Sequence, residues 1–267
     1  MSSKTFASAR ALAAILKRWL SSRTFASAAG LIVFLAIWEA FARSGLVAPT
    51  LLPAPSVLPG ALISEIMLGI WHTMVLASME HYLIGLFLGS ALGIACGMAV
   101  ALFPRVNATQ AWLARVLRPI PPLAWIPFAI IWFGLTQSAA AFIISIGIFW
   151  INYFSAITAV ESVDKELIEL SNAFGHHSFF ARLIKVILPG AAPGILGGFR
   201  AGLGMGWMTV VAAELFGIVG IGSRMNEAAG LLATEVVIVY MLTIAFLYTV
   251  SDILFVKVRD RLLQWQQ

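Results

Sequence analysis

The chain has 267 residues, of which 61% are hydrophobic and only 11% charged, with a mean hydropathy of +0.95; these proportions exclude an ordinary soluble domain. Seventeen Lys and Arg against twelve Asp and Glu leave a formal charge of +5, but no clustered basic face on a folded domain accompanies it, so the excess reads as a membrane-topology signal and not as a nucleic-acid footprint. The single cysteine, Cys96, excludes a disulfide framework or a cysteine metal site within one chain.

A membrane-spanning helix needs about 20 mainly apolar residues, and six regions qualify, near residues 27–41, 74–103, 122–135, 139–160, 190–216 and 236–256. Residues 1–26 precede the first as a separate N-terminal segment, and residues 27–267 form one transmembrane domain. In that segment Leu12, Ile15, Leu16, Trp19 and Leu20 recur at helical spacing beside Arg10, Lys17 and Arg18, the pattern of a helix lying on the inner membrane surface. The octapeptide at 2–9 nearly repeats at 21–28, which is too little for a repeat architecture. No small-x-small cleavage pattern ends the first apolar run, so an uncleaved anchor is expected. Pro49, Pro53, Pro55 and Pro59 mark an extended external loop before a helix near 61–70.

The second span carries Gly85, Gly89, Gly93 and Gly97 at four-residue spacing, which places them on one helix face where another backbone approaches closely. The fifth repeats the device with Gly190, Gly194, Gly198, Gly202 and Gly206. Such faces suit static packing and sliding helices equally. Between them, residues 117–127 read LRPIPPLAWIP, with four prolines in a membrane-helix context. Proline removes backbone donors, and a broken backbone at membrane depth is tolerated only where protein or a watery cavity satisfies the freed groups. Pro121, Pro122 and Trp125 are therefore candidates to line a path, joined by Trp132 and Trp207, for which interfacial anchoring is the ordinary alternative.

Charges within spans are functional candidates by default. Arg200 lies 14 residues before Glu214, about 21 Å along a helix, so the two cannot pair. Arg200 either favours an anion near the inner half of the path or snorkels onto backbone carbonyls; Glu214 is a gate or structural residue. Residues 161–189 form the longest cytoplasmic segment, polar and helix-forming, with Leu167, Leu170 and Phe174 as an apolar stripe for a partner or, on the bland view, as part of a solvated loop. With the N-terminus inside, fourteen of the seventeen basic residues fall in cytoplasmic segments, so both termini are expected there. No phosphate loop, dinucleotide fingerprint or hydrolytic triad is present; His72, His81, His176 and His177 form no ligand set, and a membrane enzyme fits poorly.

The stretch ELSNAFG from Glu169 to Gly175, with Ile187, Leu188 and Pro189 after it, resembles the coupling motif of binding-protein-dependent ABC importer permeases. Glu169 and Gly175 match the motif, Leu170 and Ser171 replace two alanines, and Gly175 to Pro189 is one residue longer than usual. RPIPPLAWIP ending at Pro127, WFG ending at Gly134, Gly206-Trp207, VAAE ending at Glu214 and LATEV ending at Val236 are similar to the taurine, alkanesulfonate and nitrate group, nearest to the taurine permeases. The likeness runs from about Leu51 to the C-terminus. His81 departs from it, because members commonly carry arginine there. The resemblance implies an all-α integral membrane fold of the type I ABC importer permease, about six transmembrane helices and a cytoplasmic coupling helix contacted through Glu169, Leu170, Ser171, Phe174, Gly175 and Pro189. It further implies a homodimer in the bacterial inner membrane, two ATP-binding subunits that hold the ATP and Mg, an external solute-binding protein and a small-anion substrate, with no cofactor in this chain. Taurine or a related sulfonate is the expected solute; nitrate, bicarbonate or an aromatic acid is the alternative, and an ion-coupled secondary transporter or a non-transporting scaffold is the alternative class.

Overall fold

The computed structural model describes residues 23–266 apart from 176, so the expected surface helix, most of the octapeptide pair and His176 lie outside the described residues. The described residues contain helices and turns and no strand. In chain order the helices are α1 (Arg23–Arg43), α2 (Leu58–Met67), α3 (Ile70–Leu102), α4 (Pro104–Leu117), α5 (Ile126–Phe133) and α6 (Gln137–Glu161). They continue as α7 (Lys165–Ala173), α8 (Phe179–Arg182), α9 (Leu188–Glu214), α10 (Ile221–Gly230) and α11 (Thr234–Leu262). A π-helical turn, Leu183–Ile187, joins α8 to α9 without a break.

Among the described residues five helices are long and apolar enough to cross a membrane: α1, α3, α6, the continuous rod from α8 through α9, and α11. The region near 122–135, expected as a short, proline-broken third span, is the second limb of a bent helix pair, which makes a sixth span if the pair is taken as one. Here α4 meets the segment Pro122–Phe133 at 90°. The eight residues of α5 reach only about 12 Å at 1.5 Å per residue, against a hydrocarbon core of about 30 Å. Proline is the cause: Pro119, Pro121 and Pro122 remove three backbone donors, and Pro121, which precedes another proline, sits in extended backbone at φ −66°, ψ 147°.

Helix pairing follows from the glycines. Gly85 lies against Ile144, Gly93 against Asn152 and Gly97 against Ala156, so α3 and α6 run in the same direction. Parallel neighbours oblige the intervening chain to return across the molecule, and the bent α4–α5 segment makes that return. Its climb is marked by the Arg118 guanidinium 4.4 Å above the Phe154 ring and by Pro122 beside Gly147. By contrast, α9 is antiparallel to α6, with Gly194 at Ala159 and Gly202 at Ile148. In turn α11 is antiparallel to α9, with Phe199 stacked on Phe255. The core sits where α3, α6, α9, α10 and α11 converge: Tyr82 stacks on Trp207 at 4.4 Å between ring centroids, and Ile148, Val210, Ile221 and Tyr240 are fully buried around them. One end of the bundle carries α7; Gly69, Gly134 and Glu214 lie at the opposite end.

Candidate functional site

Three places in the molecule hold the chemistry. The first is the exposed side of α9, which shows Gly194, Gly197, Arg200, Ala201 and Met208 between α6 and α11, with Gly204 half-buried beside Tyr248. The exposed side of α3 looks different, with Leu83, Ile84, Phe87, Leu88 and Leu92. Small residues with a cation are a poor match for acyl chains, so this side of α9 suits a partner or a watery path. Beside it, Ser155, Thr158 and Ser162 of α6 line a hollow of about 450 Å³ with Gly194, Gly197 and Ala201. Arg200 stands 12 residues into the 27-residue α9, about 18 Å from its start. It does not project as a lone cation. Its Nε and Nη2 donate to Asp252 Oδ1 and Oδ2 at 2.6 and 2.7 Å, a bidentate pair with α11 in place of the backbone carbonyls expected of a snorkelling arginine.

The second place is a polar knot at the end opposite α7. Ser78 Oγ donates to Glu214 Oε1 at 2.6 Å, His81 Nε2 lies 2.6 Å from the same oxygen, and the Ile221 N–H donates to Ser78 Oγ at 2.8 Å. His81 Nδ1 meets Gln137 Oε1, and the Gly222 N–H donates to Glu214 Oε2. Glu214 and His81 are fully buried. Gly220 and Gly222 make this possible, since a methyl on Gly222 would lie 2.9 Å from Glu214 Cβ. The knot therefore ties α3, α6, α9 and α10 together. Next to it Arg224 donates through Nε and Nη2 to Glu65 at 3.2 and 2.6 Å, and the Tyr240 hydroxyl donates to Glu65 Oε2 at 2.9 Å. The Arg224 bonds hold the Glu65 carboxyl below the usual carboxylate range against the opposing effect of burial, and Glu65 in turn raises Arg224.

The third is the docking segment. Asp164 accepts from the Glu166 N–H at 2.9 Å and caps α7; Gly175, at φ +83°, ends it in the left-handed conformation that glycine tolerates best. Leu167, Leu170 and Phe174 are exposed, Glu169 faces solvent, and Ser171 is buried with its hydroxyl on the Ile168 carbonyl. Ser171 thus looks into the body rather than outward, contrary to its expected place on a contact surface. A groove of about 610 Å³ runs between Leu167, Leu170, Phe174, Val186, Pro189 and Trp265. The π-turn Leu183–Ile187 falls within the stretch that is one residue longer than the resembling motif, and a π-turn is how a continuous helix absorbs one added residue.

The sequence-predicted path residues do not come together. Trp125 and Trp132 line a separate groove of about 720 Å³ with Glu80, Ile84, Gln137 and Phe142, while Pro121 and Pro122 form the break above Gly147. Trp207 is 2% exposed and stacked on Tyr82, and Glu214 is fully enclosed, so neither lines an open path in this structure. Asp252, Ser78, Gln137 and Asn152 were not singled out from sequence. Asp252 had a signal: it is the lone acidic residue in the expected span 236–256. Among the described residues no group of three or more His, Cys, Asp or Glu could hold a metal ion.

The described chain is a helical bundle with one bent helix pair, an open small-residue side on α9 and an exposed amphipathic helix, α7. The chain belongs to the family of binding-protein-dependent transport system inner membrane components, whose model matches residues 85–264. It is 34% identical over 236 residues to the taurine transport system permease protein TauC of Escherichia coli strain K12, covering 86% of this chain and 85% of that protein. It is also 33% identical over 201 residues to the bicarbonate transport system permease protein CmpB of Synechococcus elongatus, covering 70% of each. In fold it matches a chain of the MetNI methionine ABC transporter in an inward-facing conformation, with a TM-score of 0.63 at 20% identity over 76% of this chain and 99% of that one. The chain is therefore a multi-pass membrane permease subunit of an ABC importer.

Proposed function

We propose that the chain carries a small anion, taurine or a related sulfonate, as one half of a homodimeric path, with the exposed side of α9 as its wall. The observation that carries this is the open row of Gly197, Arg200 and Ala201 at the middle of a spanning helix, where lipid contact would select bulky apolar residues. The α7 end is cytoplasmic: Arg105, Lys165, Arg182, Lys257, Arg259 and Arg261 gather there, against Arg43 and Arg224 at the opposite end. An ATP-binding subunit, which supplies the ATP and Mg, docks on Leu167, Leu170 and Phe174; an external solute-binding protein delivers the anion at the other end. Trp125, Trp132 and the proline break lie on a different side and belong to the scaffold or the lipid contact. The knot at Glu214 holds the opposite end of the path closed.

Labelled taurine, nitrate and bicarbonate uptake into vesicles bearing the permease, its ATP-binding subunit and a saturating binding protein tests the reading. Taurine uptake is expected to need ATP and to fall in Arg200→Gln. Uptake driven by an ion gradient without the ATP-binding subunit would make the chain a secondary transporter, and uptake of nitrate or bicarbonate alone would replace the sulfonate.

A further inference from the structure

The molecule contains two arginine–carboxylate pairs of the same bidentate form in different settings. Arg224 and Glu65 are shielded, with side chains 15% and 5% exposed, and the pair is reinforced by Tyr240 and Glu227. Arg200 and Asp252 are 44% and 20% exposed, at mid-length of two spanning helices, and no other side chain is hydrogen-bonded to either carboxylate oxygen among the described residues. Tyr248 and Arg259 are the titratable groups whose fields also reach this pair. The first pair is built as a structural fastening. The second stands open on the face that forms the wall of the proposed path.

We propose that Asp252 is the resident occupant of an oxyanion seat on Arg200, displaced by the sulfonate or carboxylate group of a passing solute and returning to expel it. This rests on the transport reading above. A guanidinium fork binds any group that offers two coplanar oxygens, and a sulfonate presents such a pair as a carboxylate does. Asp252 occupies the Nε and Nη2 edge of the fork, the same edge on which two sulfonate oxygens would sit. An arginine left without a counter-ion at this depth would be costly, so the empty path needs an internal anion. Exchange of one oxyanion for another keeps the charge balance, whereas removal of Asp252 without replacement would not. Transport also requires release: a bound group must be held loosely enough to leave, and a tethered carboxylate competes for the seat at all times. The hydroxyls of Ser155 and Thr158 lie along the same open side.

Two variants in the full complex test the seat. In Arg200→Gln/Asp252→Asn both charges are gone and the two side chains can still hydrogen-bond, so insertion and co-purification with the ATP-binding subunit are expected to match the parent, while taurine uptake falls at least tenfold. In Asp252→Asn the competitor is removed, and the methanesulfonate concentration that half-maximally protects the purified permease against thermal unfolding is expected to drop about tenfold, with equal chloride giving no such effect. Uptake at the parent rate by the doubly neutral variant would make the pair a fastening like Arg224 and Glu65 and overturn the proposal, leaving the permease reading intact. Unchanged methanesulfonate protection in a correctly inserted Asp252→Asn would overturn it as well. A parent complex that moves no sulfonate or carboxylate would instead sink the anion reading and the seat with it.

Discussion

Gly93 and Gly197 are both glycines in the interior of spanning helices, and they do opposite things. A methyl on Gly93 would lie 2.6 Å from the Phe149 carbonyl oxygen and 3.0 Å from Asn152 Cβ, so α3 and α6 touch backbone to backbone. A methyl on Gly197 would meet nothing within 4 Å. Glycine at the first position is a contact; at the second it is a clearance. One helix makes the same distinction within itself: Gly194, Gly198, Gly202 and Gly206 close α9 onto α6 and Tyr82, whereas Gly197 lies on its open flank. Small-residue rows therefore need a neighbour before they mean packing.

The largest expected effect breaks the contact side. Gly93→Leu drives four carbons into a space that rejects one, so its destabilisation should exceed the usual overpacking range of about 1 to 3 kcal/mol and abolish accumulation of folded protein. Gly89→Leu and Gly198→Leu should behave alike. Recovery of Gly93→Leu from membranes at the parent level, with an unchanged thermal midpoint in detergent, would show that α3 and α6 do not pack as described.

Next in size is the knot that pins α3 to α9 at one end of that contact. His81→Ala leaves Glu214 buried with only Ser78 and the Gly222 N–H to satisfy it, and removing one partner of a buried hydrogen bond typically costs about 1 to 3 kcal/mol. Unfolding of the purified permease measures it. A loss under about 1 kcal/mol would mean that water reaches Glu214.

The glycine row in α3 was legible because a four-residue period needs no partner to be seen. Its neighbour was not legible: nothing in residues 137–161 marks them as the surface that receives it, and the parallel register emerges only in the fold. The proline run announced a break, yet composition could not tell a short span from a right-angled pair, since both present the same apolar residues. Arg200 and Asp252 were each visible as a charge inside an apolar span, but their pairing was not, because a partner 52 residues away leaves no spacing signal. The same holds for His81 and Glu214, 133 residues apart. In the segment after α7 nothing in the residues marked the π-turn at Leu183–Ile187, which emerges only in the fold. Trp207 was drawn towards the path by its residue type, and burial against Tyr82 placed it in the core.

Smaller effects separate the ends from the contact. Glu65→Gln weakens charge-assisted hydrogen bonds to Arg224, a loss of about 2 kcal/mol. Because the folded state depresses the Glu65 carboxyl, its contribution is present above the ordinary carboxylate value of 4.5 and fades as pH falls through the lower folded value. The parent should therefore lose stability on acidification over that window more steeply than Glu65→Gln; equal slopes would assign the acid sensitivity elsewhere. Gly175→Arg places a branched backbone at φ +83° with free space around it, a strain of about 1 to 2 kcal/mol. Membrane insertion should survive and solute-stimulated ATP hydrolysis should not. Normal stimulation in that variant would remove α7 from the coupling route.

The smallest effect on stability is the sharpest test of the clearance side. Gly197→Leu adds a side chain where nothing lies within 4 Å and gains helix propensity, so the isolated subunit should be unchanged or stabilised by less than about 1 kcal/mol. Uptake by the complex should nevertheless fall at least tenfold, because the leucine projects into the row that also holds Arg200 and Ala201. Cross-linking distinguishes the two ways this can happen: an intact homodimer with lost uptake places Gly197 on the path, and a lost homodimer places it at the contact between the two copies. Parent-rate uptake by Gly197→Leu would turn this side of α9 towards lipid, and then the contrast with Gly93 would concern only packing and carry nothing about transport.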